Sequence, residues 1–249
     1  MSLHFSFSTH FSLCLGAEQF IKEYFMEVRI NSCLEGAREA RGLTVIIDVF
    51  RSSNTILTCL DRGADYIIPV GPLDEAYRLK EANPDHLLVG ERKSQTPEGF
   101  DLGNSPVEIS QLDMRHKKAI LTTSAGTQGI VSARLAQEIV VGSFANAQAL
   151  VAYIGKQNPD VVTLAPMGFA SSDKAEEDEQ CALYLKQQLL GQETDMEQMR
   201  RKILDSKGAD RLRRIGREDD MEFGLRLDLY NMIPRYDAQT QRIQSLFIT

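Results

Sequence analysis

From residue 43 onward, short β-branched and apolar runs alternate with stretches whose apolar residues recur at helical spacing. Runs that are apolar throughout are typical of strands covered on both faces, and their alternation with helices is typical of α/β proteins. Strands are predicted over residues 43–49, 66–70, 87–89, 119–122, 138–141 and 161–164, with a half-buried strand before them at 26–30. Helices are predicted over residues 54–62, 73–82, 127–135, 146–157 and 175–190.

This order of elements divides the chain into three parts. Residues 26–190 are interpreted as a three-layer α/β/α core with a mostly parallel sheet. Residues 1–25 are apolar and serine-rich at their start but lack a basic region, so we interpret them as an N-terminal extension and not as a signal peptide. Residues 191–249 are interpreted as a helical C-terminal segment that packs on the core.

The C-terminal segment changes in character along its length. Residues 192–220 are dense in charge, and residues 223–233 are more apolar. Acids flank the arginines of residues 207–217, which favours a solvated helical face over a nucleic-acid-binding patch. The segment could cover the active site as a lid or pack against a second subunit, and its apolar residues are compatible with a homodimer.

Composition narrows the class of ligand. The 249 residues carry 28 Lys and Arg against 35 Asp and Glu, a net charge of -7, which disfavours a nucleic-acid-binding protein. A small anionic substrate needs only a few cations in one cleft.

No apolar run approaches the roughly 18 residues of a membrane span, and the four cysteines include no C-x-x-C pair. We expect a cytoplasmic protein without a zinc site.

The first candidate loop is DVFRSSNT, residues 48–55, which follows a predicted strand. Open α/β sheets bind ligands in such loops. Asp48 offers a ligand for a hard metal ion, Arg51 offers a partner for an anion, and Ser53 lies near the free N–H groups of a helix start. These are groups that phosphoryl transfer needs. The alternative is a simple helix cap at Ser53 or Asn54 beside an Asp48–Arg51 ion pair.

The second candidate site, residues 90–106 after the predicted strand at 87–89, carries similar groups. Glu91 and Arg92 follow the strand at 87–89, and Asn104 and Ser105 precede a proline that suits the first turn of a helix. A glycine-bearing loop that ends at a helix start can hold an anion through backbone N–H groups. The alternative is that these residues only cap the helix and shape a turn.

Hydroxyls and acids mark two more loops. TTSAGT, residues 122–127, contains Ser124 and Thr127 and is a candidate phosphate cradle, although it lacks the lysine and the spacing of a P-loop. EEDE, residues 176–179, opens a predicted helix, and one of its acids could face the cleft as a metal ligand. Acids at a helix start more often compensate the helix dipole at the surface.

Taken in order, these loops resemble those of one family. VIIDVFRSSNT, GERK, GFDLGNSP, TTSAGT, GSFANA and the EED segment are similar to the motifs of 2-phosphosulfolactate phosphatases, and GFDLGNSP is the most distinctive of them. The resemblance extends from about residue 26 to residue 190. It implies a magnesium-dependent phosphatase that hydrolyses (R)-2-phospho-3-sulfolactate to 3-sulfolactate and phosphate, a step toward coenzyme M or toward sulfolactate itself.

The resemblance also implies roles for individual residues. The catalytic set would be Asp48, Arg51, Glu91 and Asp178, of which Asp48, Glu91 and Asp178 would hold Mg²⁺. Anionic groups of the substrate would be bound by Arg51, Ser53, Arg92, Asn104, Ser105, Ser124 and Thr127.

Four positions depart from the family pattern: Ser52, Asn54, Ala125 and Leu183. Ala125 stands where the family usually has an asparagine, and this change removes one polar contact from the phosphate cradle. A phosphatase for another small phosphorylated hydroxy acid is therefore one alternative, and a non-catalytic phosphoacid-binding protein is another.

The acids of the site distinguish a phosphatase from a non-catalytic binding protein. Asp48, Glu91, Asp101 and Asp178 favour catalysis, because carboxylates beside a phosphate assist its binding only when a metal ion intervenes. The sequence leaves open whether water attacks the phosphate directly or a protein nucleophile is phosphorylated first. Phe50 stands where haloacid dehalogenase-type phosphatases have a second aspartate, which disfavours their route.

Overall fold

The strands of the computed structural model, which describes residues 26–247, join in one nine-stranded sheet. The strands are β1 (Glu27–Ile30), β2 (Leu43–Ile47), β3 (Tyr66–Val70), β4 (Leu87–Gly90), β5 (Lys118–Thr122), β6 (Glu138–Gly142), β7 (Val161–Pro166), β8 (Met232–Asp237) and β9 (Arg242–Phe247). Their order is β1-β7-β2-β6-β8-β9-β3-β5-β4. The predicted N-terminal extension, residues 1–25, lies outside the described residues.

Helices connect most of the strands. They are α1 (Cys33–Glu39), α2 (Ser52–Asp61), α3 (Leu73–Ala82), α4 (Pro106–Ser110), α5 (Gly126–Ser132), α6 (Ala147–Gln157), α7 (Glu176–Leu189), α8 (Met196–Leu204), α9 (Lys207–Arg214) and α10 (Glu218–Gly224). A 3-10 turn, Phe144–Asn146, precedes α6. Within residues 26–247, none of the helices has both the length and the apolar character needed to cross a membrane.

The α/β fold with a large, mostly parallel sheet agrees with the prediction. β3 and α3 have the predicted bounds, and the predicted strand at 43–49 ends two residues earlier, at Ile47. Helix α1 was not predicted, because it is short and only two of its residues, Gly36 and Ala37, are buried. Ser32 followed by Glu35 has the spacing of a capping box and was a usable signal for this helix.

Apolar side chains cover both faces of the central strand β2. Val45 and Ile47 belong to a buried cluster that includes Leu150 of α6 and Leu185 of α7. Ile46, which points to the opposite face, belongs to a second cluster with residues of α1, α2 and α5. Burial on both faces explains why β2 is apolar throughout and does not alternate.

The C-terminal segment supplies the centre of the sheet as well as helices. It was predicted to be helical, and α8, α9 and α10 are helices, but residues 232–247 form the hairpin β8–β9. β8 pairs antiparallel with β6, and β9 pairs antiparallel with β3, so the hairpin joins two parallel half-sheets that run in opposite directions. The sheet therefore takes strands from both sides of the predicted boundary at residue 190.

Two apolar residues expected on a self-association surface are buried within the chain. Ile233 of β8 and Ile243 of β9 each have no exposed surface and belong to the two core clusters. Long-range strand pairing, which local spacing does not reveal, accounts for the difference. These residues serve the fold of one chain.

Replacement of Ile243 tests the contribution of the hairpin to stability. Ile243 lies opposite Tyr236 and Ile67, so we expect Ile243→Ala to leave a cavity where the two half-sheets join. The free energy of unfolding should fall by about 2–4 kcal/mol in urea denaturation. Gln244→Ala, at the exposed neighbouring position, should change it by less than about 0.5 kcal/mol. Equal small effects of the two variants would show that the hairpin contributes little.

Candidate active site

Loops that follow β2, β4, β5 and β7 meet helix α9 in one pocket. Its volume is about 610 Å³, including the space open to solvent at its mouth. Six residues predicted from the sequence line this pocket: Asp48, Arg51, Glu91, Asn104, Ser124 and Asp178.

Asp48 directly follows the buried strand β2 and faces the starts of two helices. Its Oδ2 accepts a hydrogen bond from the N–H of Gly126 (2.8 Å), and its Oδ1 accepts one from the N–H of Ser52 (3.3 Å). The backbone N–H of Asp48 donates to the hydroxyl of Ser53 (2.9 Å). These bonds fix the direction of the Asp48 carboxylate toward the pocket.

Asp178, in the first turn of α7, connects two loops. Its Oδ1 accepts from the N–H of Val49 (2.7 Å), and its Oδ2 accepts from the N–H of Gly168 (2.8 Å). The carboxylate is 2 % exposed. Asp178 therefore holds the loop after β7 against the loop after β2.

Glu91 makes the corresponding connection in the other half-sheet. Its Oε1 accepts from the N–H of Ser124 (2.7 Å), and its Oε2 accepts from the N–H of Ser94 (2.7 Å). The loops after β4 and β5 are held together by these bonds, and the carboxylate remains at the pocket wall.

Glu177 is a fourth carboxylate in the lining, and its role was not predicted. It is 2 % exposed, and its Oε2 has no hydrogen-bond partner among the described residues. The sequence interpretation allowed only one acid of residues 176–179 to face the cleft, whereas the structure brings both Glu177 and Asp178 to it.

Burial raises the pKa values of three of these acids, Asp48, Asp178 and Glu177. Burial raises the pKa of Asp48 to about 6, with the charge of Glu91 acting in the same sense and the N–H groups of Ser52 and Gly126 acting against it. Burial, aided by the charges of Asp48 and Glu177, raises the pKa of Asp178 well above its ordinary value. The pKa of Glu177 is also raised by burial. A cation in the pocket would relieve this repulsion.

The donor set suits Mg²⁺ in its chemistry. Carboxylate oxygens are the hard ligands that this ion prefers, and the unpaired Oε2 of Glu177 shows that one of them lacks a partner within the described chain. Within residues 26–247, however, no three His, Cys, Asp or Glu side chains are arranged to hold a metal ion. Mg²⁺ commonly uses one or two carboxylates, completed by water and substrate phosphate, and the pocket fits that pattern.

Arg51 is held in place by a residue of the C-terminal segment. Its Nη1 donates to Oδ2 of Asp220 (2.7 Å), and both side chains are almost fully buried. Oδ1 of Asp220 accepts from the hydroxyl of Ser105 (2.6 Å) and from the N–H of Val107 (3.2 Å). One carboxylate of α10 therefore positions two loops that the sequence assigned to the site.

Asp220 was missed because it belongs to the charged stretch that was interpreted as solvated. Its sequence neighbours Glu218 and Asp219 are exposed, and no local pattern distinguishes the buried acid from them. Arg211 of α9 was missed for the same reason. It lines the pocket and lies 3.6 Å from Oε1 of Glu177.

Arg92, although it was predicted to bind substrate, lies outside the pocket lining. Its Nη2 donates to the carbonyl oxygen of Gly71 (2.6 Å) and to the hydroxyl of Thr122 (2.6 Å). Its Nη1 donates to the carbonyl oxygen of Glu91 (2.7 Å). The guanidinium thus braces the turn after β4, and the next residue, Lys93, lines the pocket.

Three predicted hydroxyls also lie behind the lining. Ser53 accepts from the N–H of Asp48, Ser105 donates to Asp220, and Thr127 accepts from the N–H of Thr123 (2.8 Å).

Asp101 and Ala125 complete the positions that the sequence singled out. Asp101 is half-exposed and accepts from the N–H of Leu88 (2.8 Å), away from the pocket. Ala125 lines the pocket and is 6 % exposed. The departure from the family pattern at Ala125 therefore faces the place where substrate would bind.

Comparison with known proteins shows which family the sequence matches. The model of the 2-phosphosulpholactate phosphatase family matches residues 30–239. A protein of Thermoplasma acidophilum, named probable 2-phosphosulfolactate phosphatase, is 36% identical over 197 residues, which is 78% of this chain and 86% of that protein.

Two further relatives carry the same name. The protein of Thermotoga maritima is 36% identical over 200 residues, covering 76% of this chain and 87% of that protein. The protein of Clostridium acetobutylicum is 31% identical over 211 residues, covering 77% and 88%. The chain belongs to the 2-phosphosulfolactate phosphatase family, a family of phosphoric monoester hydrolases.

Proposed function

We propose that the protein hydrolyses (R)-2-phospho-3-sulfolactate to 3-sulfolactate and phosphate and that it uses Mg²⁺. Family membership supports the substrate. The lining of the pocket supports metal-dependent chemistry. Four buried carboxylates surround a space that a buried arginine also faces. An anion enters such a space only with a cation.

The reaction adds water across the phosphate ester. A new P–O bond forms to the attacking oxygen, the bond between phosphorus and the ester oxygen breaks, and a proton goes to the departing alkoxide. Direct attack by water and a phosphorylated protein intermediate both satisfy this balance.

Asp48 would hold the metal ion with help from Glu91 and Asp178, directly or through bound water, since no three carboxylates within residues 26–247 form a complete metal site. When bound, Mg²⁺ neutralises charge on the phosphate oxygens and orients the phosphoryl group. The backbone N–H groups on each carboxylate keep the oxygens directed into the pocket without a large rearrangement.

Arg51 would bind the phosphate. Asp220 is its hydrogen-bond partner among the described residues, and the contact uses one nitrogen of the guanidinium. The remaining N–H groups can donate to phosphate oxygens in the forked geometry that guanidinium groups favour. Asn104 and Ser124, which line the pocket, would complete the anion site.

The residues behind the lining would act by holding others. Ser53 and Thr127 support the loops that carry Asp48 and Ser124, and Ser105 fixes Asp220. Arg92 supports the carbonyl of Glu91. We propose that these four residues position the site and do not contact the phosphate.

Two other functions remain as alternatives. A phosphatase for another small phosphorylated hydroxy acid would use the same carboxylates and the same arginine. A non-catalytic phosphoacid-binding protein would gain nothing from four buried carboxylates beside its ligand, so the pocket favours catalysis.

Release of inorganic phosphate tests the proposed function. With Mg²⁺, the wild-type protein should release phosphate from 2-phospho-3-sulfolactate faster than from 2-phospholactate or phosphoglycerate, and chelation should stop release. Asp48→Asn should lower kcat/KM at least about 100-fold because it removes a metal ligand.

Asp160→Asn is the matched control, because Asp160 is exposed and precedes β7 at the end remote from Gly168. It should leave kcat/KM within about twofold. Equal activity on all three phosphoacids would favour the alternative phosphatase. Absence of release from all three by folded protein would favour the binding protein.

Replacement of Asp220 tests the position of Arg51. Asp220→Asn keeps an acceptor for Ser105 but removes the charge opposite Arg51, so we expect kcat/KM to fall about 10- to 100-fold. Competitive inhibition by inorganic phosphate should weaken at the same time. A purely structural role would lower the melting temperature without weakening phosphate binding.

Asp219→Asn, on the exposed neighbour in α10, removes the same charge and serves as the control. Both variants are compared at a temperature where circular dichroism shows that they are folded. Unchanged phosphate inhibition in Asp220→Asn would contradict the role given to Asp220.

A further inference from the structure

The pocket holds more negative than positive side chains, although its proposed substrate is itself strongly anionic. Four carboxylates line it, and the cations in the described lining are Arg51, Lys93 and Arg211. Arg51 is already paired with Asp220 at 2.7 Å. The phosphate, carboxylate and sulfonate of the substrate therefore need a further cation besides Arg51 and a metal ion.

Arg211 has the geometry of such a cation. Its guanidinium carbon lies 4.5 Å from the centre of the Phe169 ring, a distance typical of a cation–π contact. Contact with the face of the ring steadies the plane of the guanidinium. Donors at the edge of that plane stay free to meet an anion.

Arg211 is only loosely paired within the chain. Its Nη2 lies 3.6 Å from Oε1 of Glu177, which is too long for a hydrogen bond. Its guanidinium makes no hydrogen bond to any residue within 26–247. An incoming oxyanion could therefore take these donors without breaking a strong bond.

The packing of α9 brings Arg211 to this place. Gly208, one turn earlier, lies against Glu177, and a Cβ at position 208 would fall 2.3 Å from Oε2 of Glu177. A larger residue at position 208 would have to displace the Glu177 carboxylate or move the helix. The C-terminal segment thus places a cation over the pocket through a specific small residue.

We propose that Arg211 binds the sulfonate of the substrate and sets the preference for a sulfonated phosphoacid. The proposal rests on the phosphatase function proposed above and deepens it. The carboxylate is bonded to the carbon that carries the phosphate ester, whereas the sulfonate is one bond farther away. With the phosphate beside the buried Asp48, the sulfonate reaches outward.

The exposed fractions of the two arginine side chains agree with an outward position of the sulfonate. The Arg211 side chain is 23% exposed, compared with 6% for Arg51, so Arg211 lies nearer the mouth. Guanidinium groups pair well with tetrahedral oxyanions, because two parallel N–H groups meet two oxygens.

The test compares two substrates that differ only in the sulfonate. For Arg211→Gln, we expect kcat/KM to fall about 10- to 100-fold on 2-phospho-3-sulfolactate and less than about threefold on 2-phospholactate. Arg211→Lys should lie between wild type and Arg211→Gln. Equal losses on both substrates would overturn the proposal, because a structural role does not distinguish them.

Arg213→Gln is the matched control. Arg213 lies on the same helix but pairs with Asp210 and donates to the carbonyl oxygen of Leu204, outside the pocket. It should leave the ratio of kcat/KM on the two substrates unchanged. A change as large as that of Arg211→Gln would overturn the proposal, since it would reflect only the loss of charge.

A binding measurement separates this proposal from the proposed function. Calorimetry with 3-sulfolactate and Mg²⁺ needs no turnover, and Arg211→Gln should bind 3-sulfolactate about tenfold more weakly than wild type. If wild type releases no phosphate yet shows this difference, the phosphatase function fails and the role of Arg211 stands. Equal binding by the two proteins, or no binding by wild type, would overturn the role of Arg211.

Discussion

Burial of several carboxylates around one pocket is the constraint on which the rest of the site depends. Asp48, Glu91 and Asp178 each accept two backbone N–H groups, which directs their oxygens inward and links the loops that carry them. The same burial raises the pKa of Asp48 and of Asp178. The fold thus buries negative charge, and this burial destabilises the folded state. A bound cation offsets that cost.

The C-terminal segment completes both the sheet and the site. Its hairpin joins two parallel half-sheets, and the helices before the hairpin bring Arg211 to the pocket and Asp220 to Arg51. Helix α9 of this segment forms one wall of the pocket. Because the same segment also lies in the centre of the sheet, the site and the fold are stabilised together.

Much of this arrangement could be predicted from local pattern. Strands such as β3 and the acids at strand ends, including Asp48 and Glu91, follow from apolar runs and from the rule that ligands bind after parallel strands. Asp220, Arg211 and the hairpin could not be found in this way. Their positions depend on long-range packing, and a charged residue such as Asp220 resembles its exposed neighbour Asp219 until the chain is folded.

The most direct test of the carboxylate cluster is the free energy of unfolding of wild type and Asp48→Asn between pH 4 and pH 8, with and without Mg²⁺. Because the pKa of Asp48 is raised to about 6, the folded wild type holds this proton more tightly than the unfolded chain, so its stability relative to the variant falls as pH rises from about 4 to about 6. Without metal, wild type should lose about 2 kcal/mol of stability relative to Asp48→Asn between pH 4 and pH 8. Mg²⁺ should stabilise wild type and not the variant. A stability difference between the two proteins that stays constant from pH 4 to pH 8, with no effect of Mg²⁺ on either protein, would contradict the account.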